Sequence, residues 1–307
     1  MTLNVIELFD AHLNASWLRP ENVVWDTVAS SVIRGQAFTR PTLDLGSGNG
    51  IFSFLTAGGR FEAEFDWFLQ AEPERVAGPA DLYDVSPRVL APAIRRAPDY
   101  RIDVALDHKR GLLEQAAVLD LYERTVEHDA AEPLPFADGA FATVFSNILY
   151  WLDEPQRVLK ECARVLAPGG RAVFCVPDPA FYTLCESYRW RETGSEWLRL
   201  LNGGRDGCMH WTATQETFER WAADAGLRVI RHHSYLHQRT LALWDTGLRP
   251  LSRPLIALVN NLPDQRRAAV KQEWMAAVRP LLLALLEEEG RATGCGGFHC
   301  FVASKPA

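Results

Sequence analysis

The stretch that most constrains the fold is residues 42–50, which read Thr-Leu-Asp-Leu-Gly-Ser-Gly-Asn-Gly. Two leucines flank an aspartate at strand spacing, glycines follow at every second position, and residues 51–55 are apolar. This pattern predicts a strand, a tight turn and the start of a helix, which leaves backbone N–H groups free to face a ligand. The dinucleotide pattern G-x-G-x-x-G does not fit, because the third glycine comes one residue early, and no Gly-Lys-Ser/Thr follows as in a P-loop.

Two acids compete for the end of the second strand. Asp84 follows Leu-Tyr in a short apolar run, and Asp107 follows the strand-like residues 101–106. The next strand ends at Asp129-Ala130, and a strand end, one helix and the following strand need about 20 residues. Asp107 lies 22 residues before Asp129, whereas Asp84 lies 45 residues before it. The spacing therefore assigns Asp107, makes residues 58–100 an insertion, and leaves Asp84 as the alternative.

The elements around this core also have sequence signals. Residues 3–18 and 21–35 predict two N-terminal helices, and residues 143–151 predict a buried fourth strand. A helix over 154–165 is followed by Pro-Gly-Gly, which is typical of a helix end, and residues 171–176 predict a fifth strand.

Three motifs in this order carry a resemblance to a known family. They are Asp-Leu-Gly-Ser-Gly-Asn-Gly at 44–50, His-Asp-Ala at 128–130 and Arg-Val-Leu-Ala-Pro-Gly-Gly at 164–170. Together they resemble the class I S-adenosylmethionine (SAM) methyltransferases, whose first motif is D-x-G-x-G-x-G. They are most similar to the small-molecule enzymes of the ubiquinone-biosynthesis type. The resemblance covers residues 40–177 or so.

The resemblance implies an α/β fold: a Rossmann-like, doubly wound sheet of seven strands, with the last strand antiparallel and with helical insertions. The last two strands are then expected at 227–235 and 297–303. We expect a single domain over 1–307, with N-terminal helices at 1–38. Besides 58–100, the insertions are expected at 178–212 and 236–295.

The implied cofactor is SAM, with S-adenosyl-L-homocysteine as its product. Asp107 is expected to accept hydrogen bonds from the ribose hydroxyls, and Asp129 from the adenine amino group. The full set of expected cofactor residues is Asp44, Gly46, Ser47, Gly48, Gly50, Asp107, His108, Asp129, Ala130 and Asn147.

The methyl acceptor is expected to be a small molecule from bacterial secondary or surface-glycan metabolism, with oxygen, nitrogen and carbon all open as the methylated atom. An oxygen or a weakly acidic carbon needs a base near neutral pH. The candidates are Tyr150, His210 and His233. His232 is the alternative to His233, because adjacent strand residues face opposite ways. A structural role is open for each of them.

The composition of the chain limits which partners, which location and which metal sites are expected. The net charge is −7 and no basic tract occurs, which argues against nucleic acid. The N-terminus lacks a basic and apolar leader and no apolar run approaches a membrane span, so we expect a cytoplasmic protein without membrane contact. The six cysteines form no C-x-x-C or Cys/His cluster, so no metal site is expected.

Two other function classes remain open at this point. A non-catalytic SAM-binding or scaffolding protein would keep the same cofactor residues but lack a base. An NAD-dependent oxidoreductase is disfavoured by the glycine spacing. The oligomeric state has no signal in the sequence.

Overall fold

The computed structural model of the protein describes residues 5–36, 38–69, 93–188 and 209–307. Its strands are β1 (Thr42–Leu45), β2 (Arg60–Phe61), β3 (Ile94–Arg96), β4 (Ile102–Asp107), β5 (Tyr122–Glu127), β6 (Phe141–Ser146), β7 (Leu166–Pro177), β8 (Arg228–Tyr235) and β9 (Phe298–Ser304). Seven of them form one sheet in the order β5-β4-β1-β6-β7-β9-β8, and β2 pairs with β3 in a separate ribbon.

The sheet is parallel except for one strand. β1 lies at its centre, all four of its residues are buried, and it pairs in parallel with β4 on one side and β6 on the other. β9 runs antiparallel to both of its neighbours, β7 and β8. The expected Rossmann-like fold, with seven strands and an antiparallel last strand, is therefore confirmed.

The helices are α1 (Val5–Ala15), α2 (Pro20–Arg34), α3 (Ile51–Thr56), α4 (Arg110–Ala117), α5 (Pro155–Val165), α6 (Ala180–Leu184), α7 (Gln215–Asp224), α8 (Gln238–Ala242), α9 (Ser252–Asn260) and α10 (Asp264–Glu289). Pro20 and Pro155 lie in the first turns of α2 and α5, where a missing N–H costs little. α5 buries residues at helical spacing, among them Val158, Leu159 and Cys162, and so covers one face of the sheet.

Two predicted strand boundaries were wrong. The fourth strand ends at Ser146 and not at Trp151, and residues Leu149–Trp151 form a 3-10 turn. The chain leaves the sheet there, because the N–H groups of Ile148 and Trp151 bond locally, to Ser146 Oγ and Ile148 O. The fifth strand begins at Leu166, five residues before the predicted start, because the Pro-Gly-Gly segment pairs with the backbone of Lys305.

The second strand is where the spacing placed it. β4 ends at Asp107 and lies between β1 and β5, in register with both. Asp84, the alternative, falls within 70–92 and lies outside the described residues. In the described part of the chain, no helix has the length and the apolar composition that crossing a membrane requires.

Candidate active site

A cavity of about 560 Å³ opens at the carboxyl ends of β1, β4, β5 and β6. Open α/β sheets bind ligands at this edge, where strand order reverses. The cavity is lined by Asp44, Gly46, Ser47, Gly48, Asn49, Phe52, Ser53, Leu106, Asp107, His108, Lys109, Leu112, His128, Asp129, Ala130, Ala131, Phe145, Asn147, Ile148, Tyr150, Trp151, Leu152, Asp153, Glu154, Arg157 and Val158. Nine of the ten expected cofactor residues are in this set. Gly50 is not: it lies at the start of α3.

The glycine turn is fixed to β4 and open to the cavity. The N–H groups of Gly46 and Ser47 donate to the Leu106 carbonyl at 2.8 and 3.0 Å. A Cβ on Gly46 would lie 2.0 Å from the Ile148 side chain, so this position has no room. A Cβ on Gly48 would meet no atom within 4 Å, although its φ of +56° disfavours any other residue. Gly48 therefore leaves backbone bare toward the cavity.

Asp107 joins the end of β4 to the glycine turn. Its Oδ2 accepts a hydrogen bond from Gly48 N at 2.9 Å, and its Oδ1 accepts one from Lys109 N at 2.9 Å. The residue is 8% exposed and lines the cavity. A carboxylate has about four acceptor positions, so two donors leave capacity for ligand hydroxyls.

Asp44 lies deeper, beneath the turn. Its Oδ2 accepts hydrogen bonds from Ser53 Oγ and Tyr122 Oη, each at 2.7 Å. Burial raises the pKa of the Asp44 carboxyl to about 6, against these two hydrogen bonds, which lower it. Asp44 thus links β1 to α3 and β5 while lining the cavity floor.

Asn49 was not among the expected residues, although it lies inside the motif. Its Oδ1 accepts from Ile51 N at 3.2 Å, as in a local turn at the start of α3. Its Nδ2 is buried and has no hydrogen-bond partner in the described part of the chain. A buried donor left unpaired costs about 1–3 kcal/mol, so this group has capacity for a ligand atom.

The remaining expected cofactor residues lie on the cavity wall. Asp129 is exposed, and its Oδ1 accepts from Ala131 N at 2.9 Å, while Ala130 is buried. His108 follows Asp107 and is exposed, and Asn147 follows the end of β6.

The three candidate bases have different positions. Tyr150 lines the cavity, and its carbonyl accepts from His210 N at 2.9 Å. His210 is not a lining residue, but its Nδ1 lies 2.7 Å from Oδ1 of Asp153, which is one. His233 lies on the exposed side of β8 and is not brought to the cavity.

His232, the alternative to His233, is also outside the cavity. Its Nε2 lies 2.8 Å from Nδ1 of His299, whose Nε2 lies 2.7 Å from Asp178 Oδ2. Burial lowers the pKa of His232, and it lowers the pKa of His233 as well. The His232 side chain therefore belongs to a hydrogen-bonded row across β8, β9 and the end of β7.

Sequence reasoning missed an aromatic part of the wall. Phe52 and Phe145 line the cavity together with Tyr150 and Trp151. Phe52 lies in the first turn of the helix that follows the glycine run, and Phe145 is the penultimate residue of β6. Their place beside the motif is a signal that could have identified them.

Comparison with known proteins agrees with these motifs. Residues 84–174 match a family described as a methyltransferase domain, a segment that includes β4 to β6 and most of β7. A malonyl-[acyl-carrier protein] O-methyltransferase of Methylococcus capsulatus is 34% identical over 140 residues, which cover 44% of this chain and 45% of that protein. A demethylmenaquinone methyltransferase of Clavibacter sepedonicus is 29% identical over 163 residues, which cover 49% of this chain and 65% of that protein.

The chain thus spans less than two thirds of each of these relatives. Among solved structures, a SAM-dependent methyltransferase of Thermotoga maritima, described as a possible histamine N-methyltransferase, aligns with 93% of this chain and 91% of its own. The identity is 13% and the TM-score is 0.49, which adds nothing to the fold described above. The resemblance to SAM-dependent methyltransferases is confirmed by the matched family and by these relatives.

Proposed function

We propose that this protein binds SAM in the cavity at the carboxyl edge of the sheet and catalyses transfer of its methyl group to a small molecule. One observation carries the proposal: an open glycine turn and a carboxylate at the end of the adjacent strand line the same cavity. Gly48 and Asp107 are the two central residues, and they are hydrogen-bonded to each other at 2.9 Å.

The residues present fit this cofactor. Gly48 offers backbone without a side chain, and Asn49 Nδ2 is a buried donor without a partner in the described residues. Asp107 supplies acceptor oxygens for ribose hydroxyls, and Asp129 supplies an acceptor for an exocyclic amine. When bound, SAM supplies a methyl group on a sulfonium, already activated for displacement.

The protein's own task is to orient the acceptor and to take its proton. Holding two reactants in line can account for much of the rate of a displacement. Tyr150 lines the cavity, and the His210–Asp153 pair lies beside it through the hydrogen bond at Tyr150 O. We assign substrate contact to Tyr150 and proton removal to His210. In this scheme Asp153 orients the imidazole.

The acceptor class is proposed from the wall of the cavity. Four aromatic side chains, Phe52, Phe145, Tyr150 and Trp151, favour an acceptor with an apolar or planar part. According to their names, the relatives act on malonyl-[acyl-carrier protein] and on demethylmenaquinone. We retain bacterial secondary or surface-glycan metabolism as the source of the acceptor. The division into one domain with insertions at 58–100, 178–212 and 236–295 is part of the same proposal.

Calorimetry tests cofactor choice directly. We expect SAM and S-adenosylhomocysteine to bind, and NAD to give no heat of binding. Tight NAD binding without SAM binding would overturn the proposal. Cofactor binding without turnover on a panel of oxygen, nitrogen and carbon acceptors would instead support a non-catalytic SAM-binding protein.

A pair of variants tests the acceptor roles. Tyr150→Phe and His210→Gln should each lower kcat while S-adenosylhomocysteine affinity stays within about twofold. General bases typically contribute about 100-fold or more, so the loss for His210→Gln should be of that order. His233→Gln is the matched control, because this histidine lies on the exposed side of β8. Equal losses in the His210 and His233 variants would contradict the assignment.

A further inference from the structure

Two residues that line the cavity each carry a buried side-chain donor without a hydrogen-bond partner in the described residues. The two donors are Asn49 Nδ2 and Trp151 Nε1. Buried polar groups in native proteins are nearly always paired with protein, water or ligand. Asn49 lies in the glycine turn and belongs to the proposed cofactor end. Trp151 lies next to Tyr150, at the end proposed for the acceptor, and no role has yet been given to its N–H.

Three other indoles in the described residues are paired. Trp211 Nε1 donates to Leu152 O at 2.8 Å, Trp244 Nε1 to Asn22 Oδ1 at 3.1 Å, and Trp274 Nε1 to Trp17 O at 2.8 Å. Trp17 Nε1 is also buried without a partner in the described chain, but it lies in an apolar cluster and not at the cavity. Trp151 therefore combines an unpaired N–H with a place on the cavity wall.

The Trp151 backbone is held on both sides. Its N–H donates to Ile148 O at 2.9 Å, and Ile148 is the side chain that packs over Gly46. The carbonyls of Tyr150 and Leu152 accept from His210 N and from the Trp211 indole. A donor fixed in this way needs little ordering when a ligand binds, which is how preorganised contacts gain affinity.

The charged side chains near the Trp151 indole determine which kind of acceptor group its N–H can bind. Asp153 and Glu154 follow Trp151 directly and line the same cavity. Arg157 is the only basic residue from 151 to 158, and it lies 3.4 Å from Glu132 and 3.7 Å from Glu154. An anionic group would meet unfavourable like charge here, and an indole N–H can only donate.

We propose that Trp151 Nε1–H donates a hydrogen bond to a neutral carbonyl oxygen of the methyl acceptor and so selects ketone-type acceptors over carboxylates. This inference rests on the proposed function and deepens it by naming a positioning residue and the group it recognises. The aromatic wall and the donor together fit an acceptor whose carbonyl is attached to a planar apolar ring.

Three naphthalenes with substituents at one shared ring position serve as probes: acetylnaphthalene, naphthoate and ethylnaphthalene. They share the ring and differ in offering a neutral carbonyl, a carboxylate or no oxygen. Binding is measured by calorimetry at saturating S-adenosylhomocysteine. In parallel, the nitrogen-15 spectrum of the ten tryptophan indoles is recorded, and Trp151→Phe assigns the Trp151 signal by its absence.

We expect acetylnaphthalene to shift the Trp151 indole signal and to bind at least about tenfold more tightly than naphthoate or ethylnaphthalene, which is about 1.4 kcal/mol. Trp151→Phe should remove this preference while S-adenosylhomocysteine affinity stays within about twofold. Trp274→Phe, the control, should keep the preference, because that N–H is bonded to Trp17 O and Trp274 does not line the cavity.

Three results would overturn the inference. The first is that acetylnaphthalene binds the native protein and Trp151→Phe with equal affinity, and the second is that acetylnaphthalene does not bind at all. The third is that Trp151→Phe no longer binds S-adenosylhomocysteine, which would mean that the indole N–H binds the cofactor. Failure of the proposed function is a different outcome: the native protein would then not bind S-adenosylhomocysteine.

Discussion

Gly46 and Gly48 lie two residues apart and both have positive φ, yet a side chain would meet different surroundings at each. At Gly46 it would collide with Ile148, and at Gly48 it would enter open space. The same substitution should therefore harm packing at one position and ligand binding at the other.

Gly48→Val should abolish detectable SAM binding while the protein stays folded. The backbone strain at positive φ costs about 1–2 kcal/mol, and the new side chain would project toward the cavity. Gly46→Val is the matched variant. It should lower the unfolding midpoint by more than Gly48→Val does, because the Ile148 side chain must also move. Calorimetry and thermal melting measure the two effects. Unchanged SAM affinity in Gly48→Val would show that the turn is not the site.

Asp107→Ala should weaken SAM binding by at least about tenfold, since a hydrogen bond to a charged group is worth about 1.5–3 kcal/mol. The substitution also removes the acceptor for Gly48 N, so the turn itself would loosen. Asp84→Ala is the control and should leave SAM affinity nearly intact. The reverse result would mean that Asp84 ends the strand that holds the ribose. Calorimetry with both variants decides between them.

The position of Asp107 at the end of the second strand could be predicted because its signal is local: a distance along the chain to the next strand end. The contacts of Asp44 could not be predicted from the sequence. Its partner Tyr122 lies 78 residues away, and only the pairing of β1 with β4 and of β4 with β5 brings them together. The unpaired nitrogens of Asn49 and Trp151 were equally hidden, because an absent partner leaves no trace in a sequence.

At the scale of elements, the place of the second strand followed from spacing, but the position of each strand across the sheet did not. His233 was named as a candidate base because, of two adjacent histidines on a predicted strand, only one can face the cleft. β8, however, is the edge strand, separated from β6 by β7 and β9. Neither face of β8 reaches the edge formed by β1, β4 and β6. Alternation predicts which residues share a face, but it carries no information on distance across the sheet.

Three helices meet at a buried hydrogen-bonded row. His12 Nε2 on α1 lies 2.9 Å from Ser30 Oγ on α2, which lies 2.8 Å from Thr56 Oγ1 at the end of α3. Burial, with a further contribution from Arg60, lowers the pKa of His12 to about 3. The ring is 1% exposed, so the native protein holds it neutral.

This row predicts a pH dependence of stability. Because the native pKa of His12 is below the unfolded value of about 6.5, stability is fully present above pH 6.5 or so and falls as pH drops toward about 3. Between about pH 7.5 and about pH 5 the loss should be about 2 kcal/mol. Urea unfolding of the native protein and of His12→Gln over this range measures it. The raised pKa values of Asp26 and Asp44 act in the opposite direction, but both proteins share them. A stability difference between the two that does not change with pH would contradict the prediction.

On the scale of the whole molecule, α10 connects parts that are distant in sequence. Buried Lys271 donates from Nζ to Asn14 Oδ1, Ala63 O and Phe65 O at 2.7, 2.8 and 2.6 Å. One turn earlier, Arg267 Nε donates to Asp66 Oδ2 at 2.7 Å, and both side chains are buried. α10 thereby fastens the N-terminal helices and the segment after β2 to one another.

Lys271→Met tests this connection. The substitution keeps an unbranched side chain but leaves three acceptors without their donor, so we expect the free energy of unfolding to fall by about 2–4 kcal/mol. Arg266→Met on the same helix is the control, because Arg266 is 60% exposed and lies 3.7 Å from Glu273, a geometry worth at most about 1 kcal/mol. Urea midpoints at an unchanged slope measure both.

S-adenosylhomocysteine affinity should stay within about twofold in Lys271→Met, since neither Lys271 nor its three partners line the cavity. Equal midpoints for the two variants would mean that the buried ammonium does not hold these parts together, and a loss of cofactor affinity would mean that the connection reaches the site.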